Sequence, residues 1–220
     1  MVRDGIYYAA ALITGGVIVS WLSRPWFGLP LFIFAAFCLY FFRDPERDIP
    51  GGPVAVSPAD GKIVAIRPEG STTRVSIFLN IFDVHVNRTP IAGTIADVRY
   101  QRGRFLVASQ ELASVENEQN TVVVEGNGTR VVFKQIAGLI ARRIVFTKRP
   151  GDRVAAGERV GLIKFGSRVD VMFGPEWDVV VREGVHVTAG SSVLARRSDI
   201  IGFGEASVDV NAMEPVTCRG

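Results

Sequence analysis

Gly151-Asp152-Arg153-Val154-Ala155-Ala156-Gly157-Glu158-Arg159-Val160 is followed, 33 residues on, by Gly184-Val185-His186-Val187-Thr188-Ala189-Gly190-Ser191-Ser192-Val193. Both stretches read Gly-x-x-Val-x-Ala-Gly-x-x-Val. The glycines suit tight turns that a Cβ would obstruct, and the valines are spaced to point from two short strands into one core. One unit used twice at a fixed offset predicts two similar halves packed around a shared interior.

Outward from the repeat, residues 50–150 are short β-branched stretches separated by Gly, Pro, Asn and Asp. Lys62–Ile66, Arg74–Leu79, Val84–Asn87, Gly93–Tyr100, Thr121–Glu125, Arg130–Gln135 and Arg143–Phe146 read as strands. Phe105–Glu118 reads as a loop or short helix. The pattern predicts a mainly β barrel or sandwich, and the repeat resembles the biotinyl/lipoyl-like hammerhead barrels, whose two halves are alike. A carrier of that kind presents a modifiable lysine in its exposed hairpin. Here the corresponding region reads Lys164-Phe165-Gly166-Ser167, with the lysine in an apolar stretch, which argues against a swinging arm.

The N-terminus is of another kind. Residues 5–23 and 25–42 carry no charge, and only Arg24 separates them. As helices, runs of this length reach roughly 27–28 Å, close to the ~30 Å hydrocarbon layer. Residues 1–42 are therefore expected to form a helical membrane hairpin, either two spans or one span and a re-entrant segment. Residues 43–220 form the β-rich domain. Arg3, Arg43 and Arg47 flank the hairpin and suggest that both ends face the cytoplasm, with Arg24 in the short loop counting against it. Outside residues 1–42 there remain 23 basic and 21 acidic residues, with no basic run interleaved with aromatics, so the pI of about 9.1 gives no reason to expect nucleic acid. Two cysteines, Cys38 and Cys218, make neither a disulfide framework nor a metal motif.

Few residues are equipped for chemistry. A serine held in a tight Gly-Ser turn can attack the preceding carbonyl, and elimination from the resulting ester leaves a pyruvoyl group at a new N-terminus. Gly166-Ser167 is such a pair, although ordinary turns use the same residues. Of two histidines, His85 lies in Phe82-Asp83-Val84-His85-Val86-Asn87-Arg88, where alternation places Asp83, His85 and Asn87 on one face; that stripe is either solvent-exposed or functional. His186 falls where the other repeat has Arg153, and reads as structural or exposed. Asp60, in Ser57-Pro58-Ala59-Asp60-Gly61, is a turn residue or a carboxylate able to orient His85. Asn117-Glu118 and Arg142-Arg143 are polar islands, the arginines either solvated or suited to a phosphate or carboxylate.

Phe42-Arg43-Asp44-Pro45, Ser57–Gly61, Phe82–Arg88, Asn117-Glu118, Gln135–Arg143 and Phe165-Gly166-Ser167, in this order, resemble the short branch of the phosphatidylserine decarboxylase proenzymes over most of residues 40–205. The resemblance implies autocatalytic cleavage between Gly166 and Ser167 into chains 1–166 and 167–220, which stay together as a heterodimer. It implies a covalent pyruvoyl cofactor from Ser167 and no metal. It also implies decarboxylation of phosphatidylserine to phosphatidylethanolamine through a Schiff base at an inner membrane, with the domain on the cytoplasmic side. By the same resemblance Asp60 holds the imidazole and His85 moves protons, while Asn117, Glu118 and Arg142 are candidate substrate contacts. Longer members carry a second histidine where this chain has Arg88, so His85 serves both self-cleavage and turnover, or another group helps. Oligomeric state stays open.

Three other readings stay open: a membrane-anchored, non-catalytic biotinyl/lipoyl-like module, which would remain one chain, a zinc peptidase, for which two histidines without ligand spacing are poor material, and a pyruvoyl enzyme acting on a soluble amino acid.

Overall fold

A computed structural model describes residues 2–103, 117–138, 143–164 and 167–198. The predicted segment 105–118 falls almost wholly outside these, as do Arg142, Phe165, Gly166 and the tail from residue 199.

Two helices come first, α1 (Arg3–Leu22) and α2 (Pro25–Phe41). Pro25 opens α2 at its first turn, where a missing N–H costs nothing. The helices approach so closely that a Cβ on Gly28 would lie 2.5 Å from the Gly16 carbonyl oxygen, the small-residue contact typical of helices packed in lipid. Of the two, α1 is long and apolar enough to cross a bilayer, while α2 has 17 residues. Large apolar side chains on both are exposed, Trp21, Leu22, Trp26 and Phe27 among them.

The rest is mainly β. The strands are β1 (Val54–Val56), β2 (Gly61–Glu69), β3 (Thr72–Leu79), β4 (Val86–Arg88), β5 (Gly93–Gln101), β6 (Gln119–Gly126) and β7 (Thr129–Ala137). After them come β8 (Ile144–Phe146), β9 (Arg153–Val154), β10 (Arg159–Ile163), β11 (Ser167–Phe173), β12 (Trp177–Val179), β13 (His186–Val187) and β14 (Val193–Arg197). An eight-stranded sheet runs β13-β2-β3-β11-β7-β6-β5-β9, and two three-stranded sheets run β1-β14-β12 and β4-β10-β8.

This order is symmetric. Exchanging β1 with β4, β2 with β5, β3 with β6, β7 with β11, and β8, β9 and β10 with β12, β13 and β14 reproduces it. The repeat lies at equivalent places: Val154 pairs with Gly93 and Val187 with Gly61. Gly151 donates to the Ile95 carbonyl and Gly184 to that of Ile63, each at 2.8 Å. Bulges recur at Ile63/Ala65 and Ile95/Asp97. A second repeat thereby becomes visible, Ser57-Pro58-Ala59-Asp60-Gly61-Lys62-Ile63 against Thr89-Pro90-Ile91-Ala92-Gly93-Thr94-Ile95. Gly157 and Gly190 share a left-handed φ of 70° and 80°, and a Cβ on either would strike the same Ile49 methyl, at 2.5 and 2.8 Å. Both glycine turns thus close over one side chain.

The core is the valine-rich interior that the alternation predicts, including Ile63, Ile77, Val122, Phe133, Val169 and Val171, all fully buried. A smaller cluster of Phe41, Phe42 and Leu162 joins the end of α2 to β10. Ion pairs fasten the strap that leaves the helices: Asp44 to Arg88 (3.1 Å) and Arg159 (2.6 Å), Glu46 to Arg159 (2.9 Å) and Arg47 to Asp60 (2.9 Å).

Candidate active site

Ser167 is the first residue of β11, the strand held between β3 and β7, with Leu79 and Ala137 as its register partners. Alternation puts its side chain on the same side as Val169 and Val171, and it is fully buried. Its hydroxyl has no hydrogen-bond partner among the described residues. A buried hydroxyl without a partner costs free energy and calls for an explanation.

Three further buried atoms share this condition, Asn87 Nδ2, Gln119 Oε1 and, on the one ring among them, His85 Nε2. The ring is 2% exposed and packs against Phe41, with centroids 4.3 Å apart. Its Nδ1 lies 2.9 Å from the Asp83 carbonyl oxygen. A carbonyl only accepts, so Nδ1 carries the proton and Nε2 keeps its lone pair. That Nε2 is buried and has no partner among the described residues. Burial, only partly opposed by the Asp83 carbonyl bond and the Asp83 charge, lowers the pKa of His85 from 6.5 to about 4. At neutral pH the ring is an uncharged base.

The stripe Asp83-His85-Asn87 is therefore not a solvated face. All three residues are buried, and so are Val84 and Val86, because the helix end covers one side and the sheet the other. The Asp83 carboxylate accepts from the Asn80 N–H at 2.8 Å and from His186 Nε2 at 2.9 Å. His186 is thus half exposed but tethered. Asn87 Oδ1 accepts from Gln135 Nε2 at 2.9 Å, and Gln135 Oε1 from Asn120 Nδ2 at 3.0 Å. This buried amide chain ties the segment bearing His85 to β7, the strand beside Ser167.

Among the described residues no hydrogen bond joins Asp60 to the imidazole. Asp60 Oδ1 accepts from the Ala189 N–H at 2.7 Å and its Oδ2 pairs with Arg47. The orienting bond comes from the Asp83 carbonyl, two residues from the ring, which wins because it is local. Arg88 points away from this role as well, toward Asp44, Pro45 and the Gly157 carbonyl. Asn117 is fully buried and donates to the Ala137 carbonyl at 2.7 Å, which places it next to the register partner of Ser167. The Glu118 carbonyl accepts from the Ala137 N–H, and the Glu118 side chain bonds the Tyr100 hydroxyl, raising its pKa. Gly166 and Arg142 lie outside the described residues.

Sequence reading missed a buried ionic cluster on the opposite side of β11. Arg168 and Asp170 pair at 2.6 Å, and Ser76 accepts from both Arg168 (2.8 Å) and Arg74 (3.0 Å). The charged alternation in Ser167-Arg168-Val169-Asp170-Val171 was the available signal.

Comparison with known proteins shows the family. The phosphatidylserine decarboxylase family profile matches residues 34–195. A protein of Solibacter usitatus called phosphatidylserine decarboxylase proenzyme is 68% identical over 199 residues, covering 90% of this chain and 98% of its own. One of the same name from Magnetococcus marinus is 42% identical over 207 residues, covering 88% and 94%. With a buried serine opening a central strand and a neutral buried histidine in the same domain, this chain belongs to the phosphatidylserine decarboxylase family and is a decarboxylase.

Proposed function

We propose that the chain cleaves itself between Gly166 and Ser167, and that the product converts phosphatidylserine to phosphatidylethanolamine. Among the described residues four buried side-chain atoms lack a hydrogen-bond partner, and the observation that carries this is that two of them are Ser167 Oγ and His85 Nε2, one a nucleophile and the other a base. Nε2 takes the hydroxyl proton as Oγ bonds to the Gly166 carbonyl carbon. The peptide C–N bond breaks and its nitrogen takes a proton, leaving an ester. Loss of the residue-167 α-proton and cleavage of the Cβ–Oγ bond release the Gly166 carboxylate. Water then displaces ammonia from the remaining dehydroalanine and leaves a pyruvoyl group. Ser167 and its apolar neighbours Leu79 and Ala137 suit that small carbonyl.

The pyruvoyl group supplies an electron sink for the loss of carbon dioxide. His85, held by the Asp83 carbonyl, takes a proton at Nε2 from the ammonium of the lipid substrate and passes it to the carbon that has lost carbon dioxide. With Arg88 committed to Asp44, His85 serves both self-cleavage and turnover. Asp60 positions the strap and the Ala189 turn, and Asn117 shapes the wall beside Ala137. Strands of the large chain flank β11 on both sides, so the two chains remain one heterodimer after cleavage. The helix pair holds the site at the cytoplasmic face of the inner membrane, where a lipid substrate resides.

The test is the intact mass of purified protein with and without borohydride in the presence of phosphatidylserine. Two chains are expected, the smaller one gaining the mass of the lipid adduct. One uncut species without an adduct would support the non-catalytic module instead.

A further inference from the structure

Lys164 stands two residues before Gly166, directly after β10. A lysine there would be expected to reach solvent, yet it is only 9% exposed. Its ammonium pairs with Asp4 Oδ2 at 2.7 Å, on the first turn of α1. It also lies over the rings of Tyr8 of α1 and Phe42, at 5.4 and 5.7 Å. The Lys164 N–H is held by the Arg143 carbonyl at 3.2 Å. Both the backbone and the side chain of this residue are therefore fixed, the side chain by a membrane-type helix 160 positions away in sequence.

Nothing in a lipid anchor requires a carboxylate at this place. Asp4 is the only acidic residue in residues 1–43, and it meets the cation nearest the Gly-Ser pair on its N-terminal side. We propose that Asp4 and Lys164 are positioning residues for self-cleavage: the seated N-terminal helix fixes Lys164, two residues before the bond to be cut, and the rate of the cut depends on that anchor. The proposal rests on the Gly166-Ser167 bond being the one cut. Intramolecular attack depends steeply on geometry, and a displacement of about 1 Å can cost about a hundredfold in rate. An ion pair that is partly desolvated and capped by two aromatic faces has the stiffness for that task. It also makes maturation wait for the hairpin to be in place.

The experiment follows proenzyme maturation in the full-length chain, synthesised into phospholipid vesicles and sampled on denaturing gels. Asp4→Asn and Lys164→Met are each expected to slow conversion to two chains by roughly ten- to a hundredfold. The charge exchange Asp4→Lys with Lys164→Asp is expected to restore most of the rate, which a merely structural loss would not allow. The thermal unfolding of each variant, made in the uncleavable Ser167→Ala background, is measured alongside. Normal maturation in Asp4→Asn, or no rescue by the exchange, overturns the proposal. If the wild-type chain itself never converts, the cleavage reading fails instead, and the two failures are told apart on the same gel.

Discussion

The protonation state of His85 makes a prediction that sets the environment of the site against ordinary imidazole chemistry. The perturbation is pH, and the readout is the rate of self-cleavage. With a pKa of about 4, about 90% of His85 is neutral at about pH 5, whereas an imidazole at 6.5 would be only about 3% neutral. If Nε2 is the base, the two cases differ about thirtyfold in rate at that pH. Newly synthesised proenzyme is shifted to buffers between about pH 4 and 8, and the fraction cleaved is followed on gels. The expected rate is flat from neutrality down to about pH 5 and halves near pH 4. In the Ser167→Ala proenzyme, nitrogen NMR of labelled histidines assigns that midpoint to His85, with the exposed ring of His186 as a second resonance. A rate that halves near pH 6.5, or a His85 resonance that titrates there, refutes the argument that burial sets this base.

Further outcomes follow from other contacts. Ser167→Ala remains a single chain of the proenzyme mass and has no decarboxylase activity, checked by intact mass and by phosphatidylethanolamine release. Because the folded pKa of His85 lies below its unfolded value, the unfolded chain binds the extra proton between about pH 6.5 and 4, so stability is lost as pH falls. The loss reaches about 2.5 kcal/mol at about pH 4.5, and denaturant midpoints of Ser167→Ala with and without His85→Gln isolate it. Arg88→Ala removes the contacts to Asp44 and to the Gly157 carbonyl but leaves Asp44 its pair with Arg159, and lowers stability by about 2 kcal/mol in the same assay. Gly190→Ala forces a Cβ into a left-handed turn against Ile49 and costs about 1–2 kcal/mol or more. Adding Ile49→Ala relieves the collision but not the backbone strain, so a double-mutant cycle in thermal unfolding shows positive coupling.

Several of these contacts could not be read from the chain. The expected strands lie within one to three residues of those observed, from Lys62–Ile66 inside β2 to Arg143–Phe146 around β8. Those elements carry their own turn residues and β-branched runs. The alternation at Asp83, His85 and Asn87 was legible, but its meaning was not, because period two says which residues share a face and not whether water reaches it. The hydrogen-bond partner of His85 Nδ1 was not legible for a related reason. A carboxylate is conspicuous in sequence, while a backbone carbonyl is offered by every residue, and only the turn at Asp83 aims one at Nδ1.

What the sequence alone determined was local: two uncharged apolar runs, β-branched strands between turns, a glycine-punctuated unit used twice, and a Gly-Ser pair beside it. Tertiary structure decided the rest. It inserted β11 between β3 and β7, buried Ser167 and His85 with one atom each left unpartnered, turned Arg88 toward the strap, and set Asp4 against Lys164. Helix and strand preferences act over a few neighbouring residues, so they are written in the order of the chain. The burial and pairing of a polar side chain depend on what distant segments bring to it, and those contacts exist only once the chain has folded.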